Sequence, residues 1–119
     1  MNENALCKKT LQSLKELGSE TGPSFFSELL GVFQQTAVEH LAVLRLAIAG
    51  GETERLSREA HALKGASLTI GATGMAEICK QLENLAHAQS LEGAPEALAC
   101  LDREFARAQS EIEQESMIA

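Results

Sequence analysis

Apolar residues recur along this chain at intervals of three and four, with polar residues filling the positions between them. That is the period of helices that turn one face to a core. The clearest run is Phe26, Leu29/Leu30, Phe33, Ala37, Leu41, Leu44 and Ile48, which ends at Gly50-Gly51 and can begin at Pro23, a residue suited to the first helical position. Phe25, Val32 and Val43 add a second apolar line to that helix, expected to be covered by a shorter one before it. The shorter helix is expected from about Asn4, a good N-cap, to Leu17, with Leu6, Leu14 and Leu17 on one side and Gly18 as its stop.

Further along, Leu56, Ala60, Leu63, Ala66, Ser67 and Ile70 share one arc at about 100° per residue, which predicts a helix from about Glu52 to Ile70. Gly71 and Gly74 mark the break after it. A further helix from Thr73 carries Met75, Ile78, Cys79, Leu82, Leu85 and Ala86 on one face. The last opens at Gly93-Ala94-Pro95 and repeats Leu98, Leu101, Phe105, Ala108 and Ile112 before a polar end, Gln114 to Ala119, expected to fray. No run of alternating apolar residues asks for a strand. Long helices joined by short turns pack as antiparallel neighbours. The expected fold is all-α: an antiparallel up-and-down four-helix bundle over about residues 23–113, with a short additional N-terminal helix at about 4–17, in a single domain spanning 1–119.

Composition sharpens this picture. With four Phe and no Trp or Tyr, the core must be built mainly of Leu and Ala, both good helix formers. The formal charge of −7 argues against a nucleic-acid partner, which requires a basic face; Arg58 and Lys64 are a local exception too small to supply one. No apolar run is long enough to span a bilayer, and Met1-Asn2-Glu3-Asn4 lacks the basic start and apolar segment of a signal peptide, so a cytoplasmic location is expected. Cys7, Cys79 and Cys100 are odd in number and lack C-x-x-C spacing, which indicates thiols rather than a disulfide framework or a zinc site. Cys79 lies in a core stripe and is read as a small buried hydrophobe; Cys100 points away from its helix's core line.

Three histidines remain as candidate chemistry. His40 sits at the edge of a core stripe and is read as a packed, hydrogen-bonded structural residue. His87 has only Glu83 as a same-helix candidate ligand one turn away and is read as a surface residue. His61 differs. It lies nearly opposite the line through Leu56, Leu63 and Ile70, with Arg58 three residues before it, Lys64 three after, Gly65 four after and Leu68 seven after. Each neighbour alone is an ordinary surface residue, but Gly in a helix interior costs about 1 kcal/mol relative to Ala. A bare spot one turn from an exposed imidazole lets another molecule approach closely. The combination points to a reactive histidine inside a docking surface.

These residues carry a resemblance. Ala60-His61-x-Leu63-Lys64-Gly65-Ala66-Ser67, then Ile70-Gly71-Ala72, then Cys79-x-x-Leu82-Glu83 resembles the signature of histidine-containing phosphotransfer (HPt) domains, the four-helix modules of two-component phosphorelays. The resemblance implies that His61 is the phosphoacceptor, that Lys64 stabilises the phosphoryl group, and that Gly65 clears space for a receiver domain, with Arg58 and Leu68 in the docking surface. Some members carry Gln where Glu83 stands here; a carboxylate cannot donate a hydrogen bond unless protonated, and no direct role is expected of it. The implied function is that of a phosphocarrier rather than an enzyme, exchanging phosphoryl groups between His61 and aspartates of response regulators and hybrid sensor histidine kinases. The chain itself would need no cofactor and act as a monomer, the magnesium ion belonging to the partner receiver domain. Imidazole titrates near neutrality, so a free ring nitrogen can attack a phosphoryl group without a dedicated base. The alternative is a helical interaction module without obligatory phosphotransfer, which has no need of the imidazole.

Overall fold

In the computed structural model, which describes the backbone of residues 4–21 and 25–118 and the side chains of 4–18 and 25–114, the described residues form five helices and no strand. They are α1 (Lys8–Thr21), α2 (Phe25–Gly50), α3 (Thr53–Thr69), α4 (Thr73–His87) and α5 (Ala94–Ile118). Helices α2 to α5 make the bundle: α3 packs on α2 and most extensively on α4, and α5 closes the ring against α4 and α2. Cross-links fix the antiparallel directions. His40 meets Glu59 between α2 and α3, Ser57 meets His87 between α3 and α4, and Gln34 and Arg45 meet Gln109 and Asp102 between α2 and α5.

The three-four periodicity becomes the interior. Phe26, Leu30, Phe33, Ala37, Leu41, Leu44 and Ala47 of α2 are buried against Leu56, Ala60, Leu63 and Ser67 of α3. Met75, Cys79, Leu82 and Ala86 face them from α4, and Leu98, Leu101, Phe105, Ala108 and Ile112 from α5. Removing such a side chain from water stabilises by about 1.5–3 kcal/mol each, so this stripe decides which face of α3 is left outside. The outside face carries His61. Ile48 and Ala66, expected in the core, are only partly buried at its margin.

The N-terminal region departs from expectation. Helix α1 starts at Lys8, not near Asn4, because Cys7 takes the first capping position: its carbonyl accepts from the Leu11 N–H at 3.0 Å. The segment before it is a strap. The amides of Ala5 and Leu6 donate to the Glu111 carboxylate at 2.6 and 2.9 Å, and the Cys7 amide donates to the Gly71 carbonyl at 2.7 Å. Leu6 is therefore buried from the strap rather than from a helix, and it is Leu11 that α1 buries, while Leu17 is 46% exposed. Gly18 does not stop the helix, which runs on to Thr21; a Cβ there would make an ordinary contact with the Phe25 ring at 3.5 Å. Residues 22–24, with the expected helix start at Pro23, lie outside the described residues.

Strap and α1 thus close one end of the bundle; of the second apolar line of α2, Phe25 lies near α1, but Val32 stays 63% exposed. At that end Gly71 turns the chain with φ +81°, and a Cβ on it would fall 2.8 Å from Thr10 and 2.9 Å from Cys7. Only glycine fits there. At the other terminus α5 continues as helix past Gln114 to Ile118.

Candidate functional site

The short connection at Gly71-Ala72 sets the register of α3 against α4. Residues equally distant from it face each other, so Ser57 meets His87 and, one turn nearer the connection, His61 meets Glu83. His61 Nδ1 lies 3.0 Å from Glu83 Oε2, and Lys64 Nζ lies 2.6 Å from Glu83 Oε1. One carboxylate therefore engages both groups that the sequence singled out. Their environments differ: the His61 side chain is 71% exposed, whereas that of Glu83 is 11% exposed.

Burial by itself would raise the Glu83 carboxyl, but hydrogen bonds and charge from Lys64 and His61 outweigh it and hold it below the ordinary carboxylate value. Glu83 is therefore ionised near neutrality, and an ionised carboxylate only accepts. Nδ1 of His61 must carry the ring hydrogen and donate it, which leaves Nε2 with its lone pair. One turn before Glu83, the Cys79 thiol is pushed up to about 12 by burial and then by the Glu83 charge, so it is neutral and inert. All three cysteines are free.

The other expected site residues lie around this triad. Gly65 is exposed, and a Cβ built on it would meet nothing within 4 Å. Leu68 is 54% exposed. Arg58 is exposed on the other side of His61, lining a shallow depression with Ser57 and His87. Toward α2 the surface continues from Gly65 and Leu68 into an apolar groove of about 110 Å³, lined by Leu29, Val32, Thr36, Ala66 and Thr69. Sequence reasoning missed that groove because it assigned Val32 to a covered line.

The remaining histidines occupy other settings. His40 Nδ1 is 2.7 Å from Glu59 Oε1 with both side chains about one-quarter exposed, the hydrogen-bonded structural role expected of it. His87 reaches the Ser57 hydroxyl at 3.2 Å on the surface. Among the described residues no three His, Cys, Asp or Glu side chains cluster as metal ligands, and no helix is long and apolar enough to cross a membrane. Glu83 is the principal residue missed: expected to have no direct role, it is buried and contacts both His61 and Lys64. The tight connection held the signal, since His61 and Glu83 stand eleven residues either side of Ala72.

Comparison with known proteins follows the same geometry. The model of the Hpt domain family matches residues 28–111. Histidine-containing phosphotransfer protein 2 of Arabidopsis thaliana is 28% identical over 95 residues, which cover 77% of this chain; the match spans 61% of the length of that relative. The crystal structure of histidine-containing phosphotransfer protein B from Pseudomonas aeruginosa superposes with a TM-score of 0.90 at 30% identity, covering 99% of each chain. A histidine-containing phosphotransfer protein from maize shares the fold, with a TM-score of 0.85 at 21% identity over 97% of this chain and 91% of that one.

Proposed function

Because the chain belongs to the Hpt domain family, we propose that it is a phosphocarrier of a multistep two-component phosphorelay, with His61 as the residue that accepts and gives up the phosphoryl group. The observation that carries this reading is the division of labour on one imidazole. Nδ1 is committed to Glu83, and the ring is otherwise open to solvent, so Nε2 is the nitrogen that attacks. The partner is a receiver domain, which brings the phosphorylated aspartate and the magnesium ion. This chain supplies a nucleophile and a cation and is not an enzyme in its own right.

In the forward step the Nε2 lone pair forms a bond to phosphorus while the bond from phosphorus to the aspartyl oxygen breaks, its electron pair returning to the aspartate. Lys64 has three N–H donors, and its contact with Glu83 Oε1 uses one direction of them. The others are available to phosphoryl oxygens one turn from His61. Gly65 leaves room for the receiver beside the ring, and Arg58, Leu68 and the apolar groove between α2 and α3 form the surface on which it docks. Incubation with a phosphorylated receiver tests the reading: acid-labile, base-stable phosphate should appear on the wild-type chain and be absent from His61→Gln. Equal labelling of the two proteins would refute it.

A further inference from the structure

Glu83 is buried, ionised and bound to the far nitrogen of the reacting ring, a stronger arrangement than holding that ring in place requires. Its consequence lies in what the ring becomes. When Nε2 of a neutral imidazole with hydrogen on Nδ1 takes a phosphoryl group, the product is a phosphorylimidazolium: both nitrogens are substituted and the ring is positive. If the Nδ1 hydrogen stays, the phosphoryl group later leaves by returning the N–P electron pair to Nε2, and a neutral imidazole departs. If that proton is lost to water, the leaving group is an imidazolide anion, and departure is far slower.

We propose that Glu83 is a positioning residue that keeps the proton on Nδ1 of phosphorylated His61, holding the carrier in the form that discharges readily to the next acceptor. This rests on the phosphocarrier reading. A carboxylate can only accept from Nδ1, so it favours the protonated ring alone; a carboxamide of the same shape could turn its NH₂ toward a bare Nδ1 and favour the unprotonated, inert form equally well. Charged and titratable groups near the ring come from the two helices that flank it: Glu54, Arg58 and Lys64 on α3, and Lys80, Glu83 and His87 on α4. The cations oppose a positive ring. Of these residues only Glu83 lies within hydrogen-bond distance of the ring. Lys64 on its second oxygen holds it ionised and aimed.

The full chain is treated, without a partner, with phosphoramidate, whose P–N bond breaks to release ammonia as Nε2 takes the phosphoryl group. Nitrogen-15 NMR of the His61 ring then reads the Nδ1 proton directly across pH 6–9. The expected result is a midpoint at least about one unit above that of free phosphohistidine, with Glu83→Gln lowering it by about one unit. Discharge to an unphosphorylated receiver should then be about tenfold slower in the variant above that midpoint, with no such gap well below it. A merely structural Glu83 would lower the rate equally at every pH. The wild-type titration needs no variant, so a folding defect in Glu83→Gln does not rescue the idea. A wild-type midpoint equal to that of free phosphohistidine overturns this inference alone. Failure of both phosphoramidate and a phosphorylated receiver to label His61 overturns the phosphocarrier reading, and this inference with it.

Discussion

Two histidines in this protein each place Nδ1 against a glutamate on the neighbouring helix, His40 on Glu59 and His61 on Glu83. The local chemistry is nearly the same; the surroundings are inverted. At His40 the imidazole and the carboxylate are both about three-quarters buried between α2 and α3, so the pair joins two helices. At His61 the carboxylate is buried, the ring stands out, a lysine shares the carboxylate, and the next turn is a glycine with open space above it. A His–Glu contact is therefore not a site in itself. What distinguishes the second pair is asymmetric burial together with space for a second molecule.

The largest test of that contrast is to exchange the consequences. His61→Gln is expected to abolish phosphoryl acceptance while moving stability by no more than about 0.5 kcal/mol, since the ring is mostly exposed. His40→Gln is expected to keep acceptance and to lose about 1 kcal/mol in urea unfolding. Labelling carried by His40 in the His61 variant would erase the distinction.

Lys64 comes next. Lys64→Ala removes a cation that a phosphoryl oxygen can bind, and a loss of about 1.4 kcal/mol in the transition state corresponds to about tenfold slower transfer. Its melting temperature should also fall, because the largely buried Glu83 carboxylate loses the cation paired with it, so rates are compared well below both melting temperatures. Rates identical to wild type at low and high salt would make Lys64 only a partner of Glu83.

Gly65 gives a smaller and two-signed effect. Gly65→Ala is expected to stabilise the domain by up to about 1 kcal/mol, as the site is helical, exposed and unobstructed. Gly65→Gln should keep much of that gain yet slow transfer from a receiver several-fold by standing beside the ring. Destabilisation by both substitutions would show that the glycine serves packing within the bundle instead.

The smallest effect is on acid stability. The Glu83 carboxyl is held below its ordinary value of 4.5, so it binds protons more weakly in the folded chain than in the unfolded one. Its contribution to stability is complete above about pH 4.5 and is lost as pH falls through the lowered folded value. Denaturant midpoints measured from pH 7 down to pH 3 should fall less steeply for Glu83→Gln than for the wild type. Parallel curves would mean that Glu83 is not tied to Lys64 and His61 in solution.

Much of this was legible in the residues because α3 keeps a clean three-four repeat: its ends fall within a residue of those expected, and its outward face was read correctly. The N-terminal region was not legible, for a definite reason. Asn4 has a capping side chain, but the amides of Ala5, Leu6 and Cys7 find their acceptors on Glu111 and Gly71, partners that no local pattern announces. Gly18 was read as a stop, but a single glycine costs a helix only about 1 kcal/mol, and α1 runs through it to Thr21. Glu83 failed for a third reason: it was judged by what a carboxylate cannot donate, and not by the register that the connection at Gly71-Ala72 imposes across two helices.

The strap to Glu111 has a kinetic meaning. Its two hydrogen bonds join residues 105 and 106 positions apart, so they close a loop spanning nearly the whole chain. Loop closure costs entropy that grows with loop length, whereas the neighbouring contacts of α3 and α4 close a short hairpin first. The expected order of assembly is therefore the α3–α4 hairpin carrying His61 first and the strap last. In the native state the strap should open most often and most independently, so its amides should exchange hydrogen well before those of α3, leaving the surface around His61 intact while the end of the molecule breathes.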